Sequence, residues 1–382
     1  MFSLPSELEA FQTRVRTFAR ERIAPVASEI DRTAEYPKAI HQLLVQEGYL
    51  RIVSTPTSGP NRFLKRAILI EEIAYASAAV SMIPMVNELG CTPVQLFGTD
   101  GQKAQWLEGV ANGTQFASYG LTEPQAGSDV AALQCKAEKA GKDWIISGEK
   151  SWICNVRQPG FCVVFARTGA NDARGALTAF LVPTGDKGFE VISAEPTLGL
   201  RGSPTYNFRL NGVRVPADWI LGNPGDGFRI AMMTLSHTRP AVAAQALGIA
   251  RAAYDAALGH ARTRRTFGLP LIDHQAVGFM LADMHMRIRA ARHLVYEANL
   301  LLGEKLGGDP VASSTAKCFA SDTAMQVAVD AVQIFGGDGY SKNHPVERFF
   351  RDAKVTQIYE GTNQIQRMVI ARKLATAKAE ER

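Results

Sequence analysis

The chain has 382 residues, of which 46% are hydrophobic and 21% charged, as in ordinary globular proteins long enough for two or three domains. Its 42 basic and 37 acidic residues give a net charge of +5 without a polybasic run, which argues against nucleic acid as a partner. No apolar stretch reaches the roughly 18 residues of a membrane span, and five scattered cysteines without CxxC spacing predict a reduced, cytoplasmic protein without a cysteine metal site.

In residues 1–117, apolar residues recur with the periodicity of an α-helix, which predicts an N-terminal α-helical domain. The chain enters an amphipathic pattern almost at once, which predicts that no signal or transit segment is present. Ser6, with Glu9 three residues later, predicts a capping box at the start of the first helix. Apolar spacing also predicts a buried helix that includes Leu69, Ile73 and residues 75–80.

Residues 118–227 have a different sequence pattern, in which short runs of β-prone residues alternate with turn residues. Two of these turns, 141–143 and 184–188, combine glycine with aspartate and lysine. The spacing predicts a middle domain built as a small β-barrel or sandwich. The predicted strands are residues 144–148, 161–165, 177–183 and 189–192.

Residues 228–382 are helical again and predict a C-terminal four-helix bundle. Apolar residues recur there at three- and four-residue spacing and trace one buried face. That face consists of Val277, Met280, Leu281, Met284, Ile288, Ala291 and Val295. The whole chain is therefore predicted to be an α+β protein of three domains, in the order helical, β, helical.

Two strings far apart in the chain carry the chemical signal. Glu360 is followed by Gly361, and a carboxylate next to glycine suits a base that must approach a substrate closely, because glycine leaves its path free. The second string, YGLTEPQAGSD at 119–129, opens the β-rich stretch. A surface glutamate is common and carries little weight alone. The two strings together indicate a catalytic site.

With these strings, the chain resembles the acyl-CoA dehydrogenases over nearly its whole length. The resemblance extends to QIFGGDGY at 333–340 and RDAK at 351–354. The segments in between are TRP at 238–240, RRTFG at 264–268 and HQ at 274–275. Some relatives place the base where this chain has Thr238, whose hydroxyl cannot serve as one, so Glu360 fits the short- and medium-chain branch. The family's α–β–α fold agrees with the rhythms above, and the resemblance implies a role in fatty acid metabolism.

The resemblance implies that FAD lies between the β-domain and the C-terminal bundle, with part of its site donated by a neighbouring subunit. An arginine at such a site donates paired N–H groups from a charged guanidinium to phosphate oxygens. Glycines let the backbone approach the cofactor closely. A tryptophan forms a flat apolar wall beside the isoalloxazine ring. The flavin would be lined by Tyr119, Leu121, Thr122, Gly127, Ser128, Trp152 and Cys154. The rest of the cofactor would be held by Arg264, Thr266, Phe267, His274 and Gln275, by Gln333, Gly336 and Gly337 of a second subunit, and by Thr362 and Gln364.

For the reaction, the resemblance implies oxidation of an acyl thioester to a trans-2-enoyl product. Glu360 would remove the α-proton, while flavin N5 accepts the β-hydride. The thioester oxygen would be held by the Glu360 backbone N–H and a flavin ribityl hydroxyl, in an oxyanion-hole arrangement. A desolvated glutamate beside the thioester is expected to have a raised pKa. Substrate contacts are expected from Ser128, Arg239 and Gly361.

Three features depart from the family pattern. Cys154 stands where relatives usually place a serine or threonine that donates to flavin N5, and a thiol is a weaker donor. The glycine-rich segment before the third helix is missing, because residues 55–63 hold only Gly59, so the acyl or carrier portion is expected to be unusual. No arginine lies between Ala76 and Asn87, which makes a glutaryl-type decarboxylation less favoured.

The resemblance also implies a homo-oligomer, a tetramer or at least a dimer, that passes electrons to an electron-transfer flavoprotein. The carrier of the acyl group stays open between coenzyme A and an acyl carrier protein. Two further classes of protein also stay open, an oxygen-using flavoenzyme similar to acyl-CoA oxidases and nitroalkane oxidases, and a flavin-less structural subunit. Intact Glu360, Arg264 and Gln275 argue against the structural subunit. The histidines lack matching carboxylate or cysteine spacing, so no metal site is expected.

Overall fold

The computed structural model describes residues 4–56, 61–169, 176–304 and 308–376. Part of the short segment predicted at 55–63, namely residues 57–60, lies outside these ranges. None of the helices in the described ranges is long and apolar enough to cross a bilayer. The first part of the chain forms eight helices, α1 (Ser6–Phe18), α2 (Ala27–Thr33), α3 (Lys38–Gln46), α4 (Tyr49–Ser54), α5 (Arg62–Ala76), α6 (Ala78–Phe97), α7 (Asp100–Trp106) and α8 (Glu108–Ala111).

The capping box predicted at the first helix is wrong. Ser6 is already the first residue of α1, and Pro5 takes the cap position, where no side chain accepts a hydrogen bond. The carbonyl oxygen of Pro5 accepts the backbone N–H groups of Leu8 at 2.8 Å and Glu9 at 3.0 Å. Proline has a fixed φ that suits the approach to a helix, so the backbone starts the helix without help from the serine hydroxyl.

The buried helix predicted around Leu69 and Ile73 is confirmed, since both side chains are completely buried in α5. The apolar run 75–80, however, does not belong to one helix. Ser77 is extended and separates α5 from α6, and its hydroxyl oxygen caps α6 by accepting the Val80 N–H. Serine competes with helical hydrogen bonding in this way, which breaks a run that is continuous in hydrophobicity.

The middle part forms one eight-stranded sheet that contains all four predicted strands. The strands are β1 (Phe116–Gly120), β2 (Lys136–Ala140), β3 (Asp143–Cys154), β4 (Gly160–Arg167), β5 (Leu177–Pro183), β6 (Phe189–Ala194), β7 (Thr205–Pro216) and β8 (Ile220–Leu221). Their order across the sheet is β6-β7-β3-β2-β4-β5-β8, and β1 pairs in parallel with β4. The end of β3 lies beside the loop after β1, because the Ser151 backbone N–H donates to Thr122 O at 2.9 Å.

Both faces of the sheet carry an apolar core. Successive residues of β4 alternate between them, with Phe161 and Val163 in one cluster and Cys162 and Val164 in the other. The first cluster also contains Trp106 of α7, so this face is covered by helices. Because β4 is buried on both sides, it is a continuous apolar run in the sequence rather than an alternating one.

The last part of the chain is helical, which confirms the order helical, β, helical and the α+β fold class. It consists of α9 (Gly227–Thr263), α10 (Gln275–Glu304), α11 (Pro310–Phe335), α12 (Val346–Thr356) and α13 (Asn363–Thr376), with the two short strands β9 (Arg265–Thr266) and β10 (Leu269–Pro270) between α9 and α10. The predicted apolar face of α10 is confirmed, because Leu281, Met284 and Ala291 are buried.

Helix α9 is the centre of the helical packing. It contacts α5, α6, α10, α11 and α12, and every residue from 234 to 250 is buried. Several of these buried residues are polar, among them Thr238, Arg239 and Gln245. Buried polar groups need partners inside the protein. Each of these three residues has a partner in the turn between α12 and α13. Thr238 donates to the Glu360 carboxylate and Arg239 donates to the Glu360 backbone carbonyl. Gln245 accepts the Tyr359 hydroxyl.

Candidate active site

Glu360 and Gly361 form a turn between α12 and α13 with an unusual backbone. Glu360 has φ 52° and Gly361 has φ 93°, so both lie in the left-handed region, where a glutamate is strained. The Gln366 side chain fills the inside of the turn, since its Nε2 donates to Gly361 O at 2.8 Å and to Glu360 O at 3.3 Å. A Cβ on Gly361 would come within 2.8 Å of that nitrogen, so this position requires glycine.

The Glu360 carboxyl group is held from α9. Thr238 Oγ1 donates to Glu360 Oε2 at 2.6 Å, and Arg239 Nε donates to the Glu360 backbone oxygen at 3.2 Å. Burial raises the pKa of Glu360 to about 7, although the Thr238 hydrogen bond and the Arg239 charge oppose that shift. A carboxyl with a pKa near neutrality can take a proton and release it under working conditions.

Tyr119 and Arg239 complete the surroundings of this carboxyl group. Tyr119 is buried, and burial together with the charge of Glu360 raises its pKa well above the usual value. Arg239 is only 6% exposed, so it is not a surface arginine, and burial lowers its pKa while Glu360 favours its charged form. Two predicted substrate contacts, Arg239 and Gly361, thus lie beside the predicted base; the third, Ser128, is exposed on the loop after β1.

A second surface, at the end of β3, exposes an aromatic ring. Trp152 is 58% exposed and has φ 63°, a conformation that a bulky residue adopts only when its surroundings enforce it. Two residues later, Cys154 Sγ lies 3.1 Å from Thr205 Oγ1. Burial raises the pKa of the Cys154 thiol, which therefore stays neutral. Cys154 and Tyr359, the residue before Glu360, both pack against the main apolar core of the helices.

The predicted flavin residues of the loop after β1 differ in their exposure. Leu121 is buried, Thr122 is half-buried, and Gly127 is exposed, with no atom within 4 Å of the place where a Cβ would stand. The loop is fixed by Glu123, which sequence reasoning did not single out. Its carboxylate accepts Lys150 Nζ at 2.7 Å and the backbone N–H groups of the loop at residues 134 and 135.

The predicted residues for the remainder of the cofactor form a separate group at the end of α9. Thr266 Oγ1 and His274 Nε2 are 3.0 Å apart, and Phe267 is 98% exposed. Arg264 and Gln275 are also exposed. Within the described residues, no hydrogen bond or ring contact joins this group to the flavin residues of the sheet.

The end of α11 lies against the same region. Phe335 stacks on His260, with ring centroids 4.1 Å apart. Gln333 is exposed, and a Cβ on Gly336 or Gly337 would meet no atom within 4 Å, so this surface is open. The two remaining predicted residues lie at the start of α13, where Gln364 is exposed and Thr362 Oγ1 accepts the backbone N–H of residue 365 at 3.3 Å.

Among the polar residues around the Glu360 turn, Thr238, Gln245, Lys317 and Gln366 were not predicted as parts of the site. Thr238 was considered only as a base, although its hydroxyl is a donor to the carboxylate. Lys317 donates from α11 to Gly361 O at 2.9 Å, and Gln245 accepts the hydroxyl of Tyr359. A visible signal existed for Lys317, because a lysine on the small-residue face of a helix is unusual unless it has a partner.

Family models cover the chain in three consecutive parts. The acyl-CoA dehydrogenase N-terminal domain matches residues 5–114, the middle domain residues 118–213 and the C-terminal domain residues 225–375. The chain belongs to the acyl-CoA dehydrogenase family.

Individual relatives agree with this assignment. A protein of Mycobacterium tuberculosis named as a probable acyl-CoA dehydrogenase is 43% identical over 379 residues, which are 98% of this chain and 97% of the relative. The cyclohexane-1-carbonyl-CoA dehydrogenase of Geobacter metallireducens is 41% identical over 98% of this chain and 99% of its own length. The structure of butyryl-CoA dehydrogenase from Megasphaera elsdenii superimposes with a TM-score of 0.93, at 38% identity, over 98% of this chain and 100% of that chain.

Acyl-CoA dehydrogenases are FAD-dependent flavoproteins, and FAD is the cofactor of this enzyme. The structure offers surfaces that fit it. The exposed ring of Trp152 is a flat apolar wall for an isoalloxazine, and Cys154 follows it by two residues at the end of β3. Open glycine surfaces at Gly127 and Gly336 allow close approach of a large planar or charged group.

Proposed function

We propose that this enzyme oxidises a coenzyme A thioester at Cα and Cβ, with Glu360 as the base. The observation that carries the proposal is the state of this carboxyl group. It is half-buried, it accepts one hydrogen bond from Thr238, and its pKa is raised to about 7. The turn that presents it has a left-handed backbone at Glu360, and strain of this kind is frequent at catalytic positions.

In the proposed reaction, every bond that breaks or forms is accounted for. The Cα–H bond breaks and its proton moves to Glu360, while the electron pair of that bond forms the Cα=Cβ double bond of the enoyl product. FAD supplies the oxidant, by accepting the Cβ hydrogen as hydride. Among the described residues, the backbone N–H of Glu360 has no acceptor, so it is free to hold the thioester oxygen and stabilise its developing charge.

We infer that the acyl group is short. The Tyr359 hydroxyl donates to Gln245 Oε1, and Gln245 Nε2 donates to Ser81 Oγ at 2.9 Å and to Ala78 O at 3.2 Å. This chain of hydrogen bonds joins α6, α9 and the Glu360 turn. Gln245 follows Thr238 by about two turns of α9, or about 10 Å, which leaves room beyond the base for about four to six carbons.

The names of two relatives are in line with a short or cyclic acyl group. One is a cyclohexane-1-carbonyl-CoA dehydrogenase and the other a butyryl-CoA dehydrogenase. A panel of butanoyl-, cyclohexanecarbonyl-, octanoyl- and dodecanoyl-CoA tests the inference by the rate of anaerobic flavin bleaching. Dodecanoyl-CoA is expected to react at least about tenfold more slowly than butanoyl-CoA. Equal rates across the panel would contradict a closed acyl space.

The remaining parts of the proposal concern partners. An electron-transfer flavoprotein is the proposed electron acceptor, and a homo-oligomer is the proposed assembly. The second follows from the separation of the two groups of FAD residues, because Gly336 and Gly337 of one copy can complete the site of another. The reduced enzyme is expected to reoxidise slowly in air. Rapid reoxidation would indicate an oxygen-using flavoenzyme. A purified protein without colour would indicate a flavin-less structural subunit.

The role of Glu360 is tested by Glu360→Gln. This variant keeps the size and hydrogen-bonding ability of the side chain but cannot accept the proton, so flavin bleaching by butanoyl-CoA should fall by at least about a thousandfold. The yellow FAD should remain bound. Glu149→Gln, at an exposed glutamate of β3, is the matched control. Retained bleaching in Glu360→Gln would remove this residue from the role.

A further inference from the structure

Lys317 is buried in α11, against the turn that carries Glu360. Its side chain has no exposed surface, and its Nζ donates to Gly361 O at 2.9 Å and to Asn363 Oδ1 at 2.8 Å. Both acceptors are uncharged, and no carboxylate in the described part of the chain lies within ion-pair distance of this ammonium group. A buried cation without a carboxylate partner is expensive in free energy, so its presence requires a reason other than packing.

The first reason is the geometry of the turn. Arg239 and Gln366 donate to Glu360 O, while Lys317 and Gln366 donate to Gly361 O. The carbonyl oxygens of two consecutive peptide planes are therefore each fixed by two side-chain donors. Because the torsions of Gly361 lie between those planes, the donors hold the turn in its left-handed shape and thereby set the direction of the Glu360 side chain.

The same face of α11 also fixes the residue after the turn. Ser321, one helical turn after Lys317, accepts Asn363 Nδ2 at 2.9 Å, and Asp322 Oδ1 accepts the same amide at 2.7 Å. Asn363 begins α13. Lys317 thus joins a prepared surface that anchors both ends of the turn, since its two acceptors are the glycine next to the base and the first residue of the following helix.

The second reason is electrostatic. Burial lowers the pKa of Lys317 to about 8, and the charge of Glu360 counteracts this. Burial raises the pKa of Glu360 to about 7, and Lys317 is one of the cations that counteract it. Each group therefore favours the charged form of the other. The other charged or titratable groups around them are Glu88 of α6, Arg239 of α9, Cys318 and Asp322 of α11, and the phenols of Tyr119 and Tyr359.

We propose that Lys317 is a positioning residue for the catalytic base. It clamps the Glu360–Gly361 turn through Gly361 O, and its charge keeps the Glu360 carboxylate available as a proton acceptor. The inference rests on the proposed function of Glu360. A purely structural lysine would affect folding or flavin retention, whereas this role also ties Lys317 to the pH at which the base becomes active.

The test is anaerobic stopped-flow bleaching of the flavin by butanoyl-CoA in Lys317→Met, from about pH 5 to about pH 9. Loss of the positive charge favours protonated Glu360. The acid limb of the pH–rate profile should therefore move to higher pH by about one unit. At pH 7 the limiting rate should fall about fivefold, because the ionised fraction of the base falls by that factor. The substrate concentration for half-maximal rate should stay close to that of the parent enzyme.

Two variants serve as controls. Lys354→Met makes the same substitution at an exposed lysine, whose Nζ bonds only Gln357 Oε1 at 2.9 Å, and should leave the limb unchanged. Lys317→Arg keeps the charge, so its limb should stay at the parental pH even if the larger side chain slows the reaction. An unmoved limb in Lys317→Met, or an equal displacement in Lys317→Arg, would overturn the proposal.

Folding is monitored by the FAD content of each variant. If Lys317→Met yields no flavin-loaded enzyme, Lys317→Gln, which retains a donor but no charge, is titrated in its place. Failure of both neutral variants to fold would assign Lys317 to folding alone and would also overturn the proposal. Retained bleaching in Glu360→Gln identifies the different case in which the proposed function itself is wrong.

Discussion

Two buried lysines hold the two loops of this active site, and they differ in how their charge is balanced. In the sheet, Lys150 Nζ donates to Glu123 Oε1 at 2.7 Å, and this pair fixes the loop after β1. In the helical part, Lys317 Nζ donates to two uncharged oxygens, although Glu360 lies in the turn that it holds. The same two residue types thus form an ion pair in one region and remain apart in the other.

The difference appears in the carboxyl groups. Burial raises the pKa of Glu123, but Lys150 and two backbone N–H groups more than compensate, so its pKa lies below the usual value and it stays ionised. The pKa of Glu360 is raised to about 7, because its partners are fewer and its burial dominates. A fully paired buried glutamate serves structure, whereas a glutamate left without a direct cation is poised to exchange a proton.

The largest effect is expected at the paired lysine. Lys150→Met leaves Glu123 buried without its cation, which should lower the free energy of unfolding by about 3–5 kcal/mol. FAD should also dissociate more easily, because the loop after β1 loses its anchor. Chemical denaturation and the flavin content of the purified protein measure both effects. Lys139→Met, at an exposed lysine of β2, is the control; a loss below about 1 kcal/mol at Lys150 would show that the ion pair is not what holds the loop.

A smaller effect is expected from Thr238→Val, which removes the hydrogen bond to Glu360 Oε2. Hydrogen bonding to the ionised form lowers the pKa of a carboxyl, so its loss should raise the pKa of Glu360 further. Flavin bleaching at pH 7 should slow about tenfold and recover at higher pH. Thr234→Val is the matched control, since the Thr234 hydroxyl is buried one turn earlier in α9 and bonds Ile230 O. A slowing that persists at high pH would point to misplacement of the base instead.

The smallest effect is expected from Cys154→Thr, which leaves the charge balance untouched. A hydroxyl is a stronger donor than a thiol, so the flavin midpoint potential should shift and the bleaching rate should change by about two- to fivefold, without loss of FAD. Cys162→Ser, in the core of the same sheet, should alter stability but not the potential. If neither potential nor rate responds in Cys154→Thr, the thiol does not face the flavin.

Much of the fold could be predicted because its elements have clear periods. The apolar face of α10 and the continuous apolar run of β4 are both visible in the sequence and both present in the structure. The strand β2 was missed, because the sequence KAEKA has small and charged residues that are rare in strands. The break between α5 and α6 was missed because Ser77 lies inside an apolar run.

The candidate site was only partly predictable. The Glu360–Gly361 pair and the loop after β1 stand out as local strings, and the structure gives both a defined environment. The contacts that set the pKa and position of the base are not visible as local strings. Thr238 and Lys317 are far from residues 360 and 361 in the sequence and meet them only in the folded protein. No local period reports such contacts, and the left-handed backbone of Glu360 follows from packing rather than from residue type.

The most direct test of this account is the pH dependence of flavin bleaching by butanoyl-CoA in the absence of oxygen, in the parent enzyme and in Glu360→Gln. Because the base must be ionised, the parental rate should fall about tenfold for each pH unit below its midpoint and level off above it. The midpoint should lie near the raised pKa of Glu360, at about 7, and the variant should show no bleaching at any pH. A parental rate independent of pH, or a variant that bleaches as fast as its parent, would contradict the assignment of Glu360 as the base.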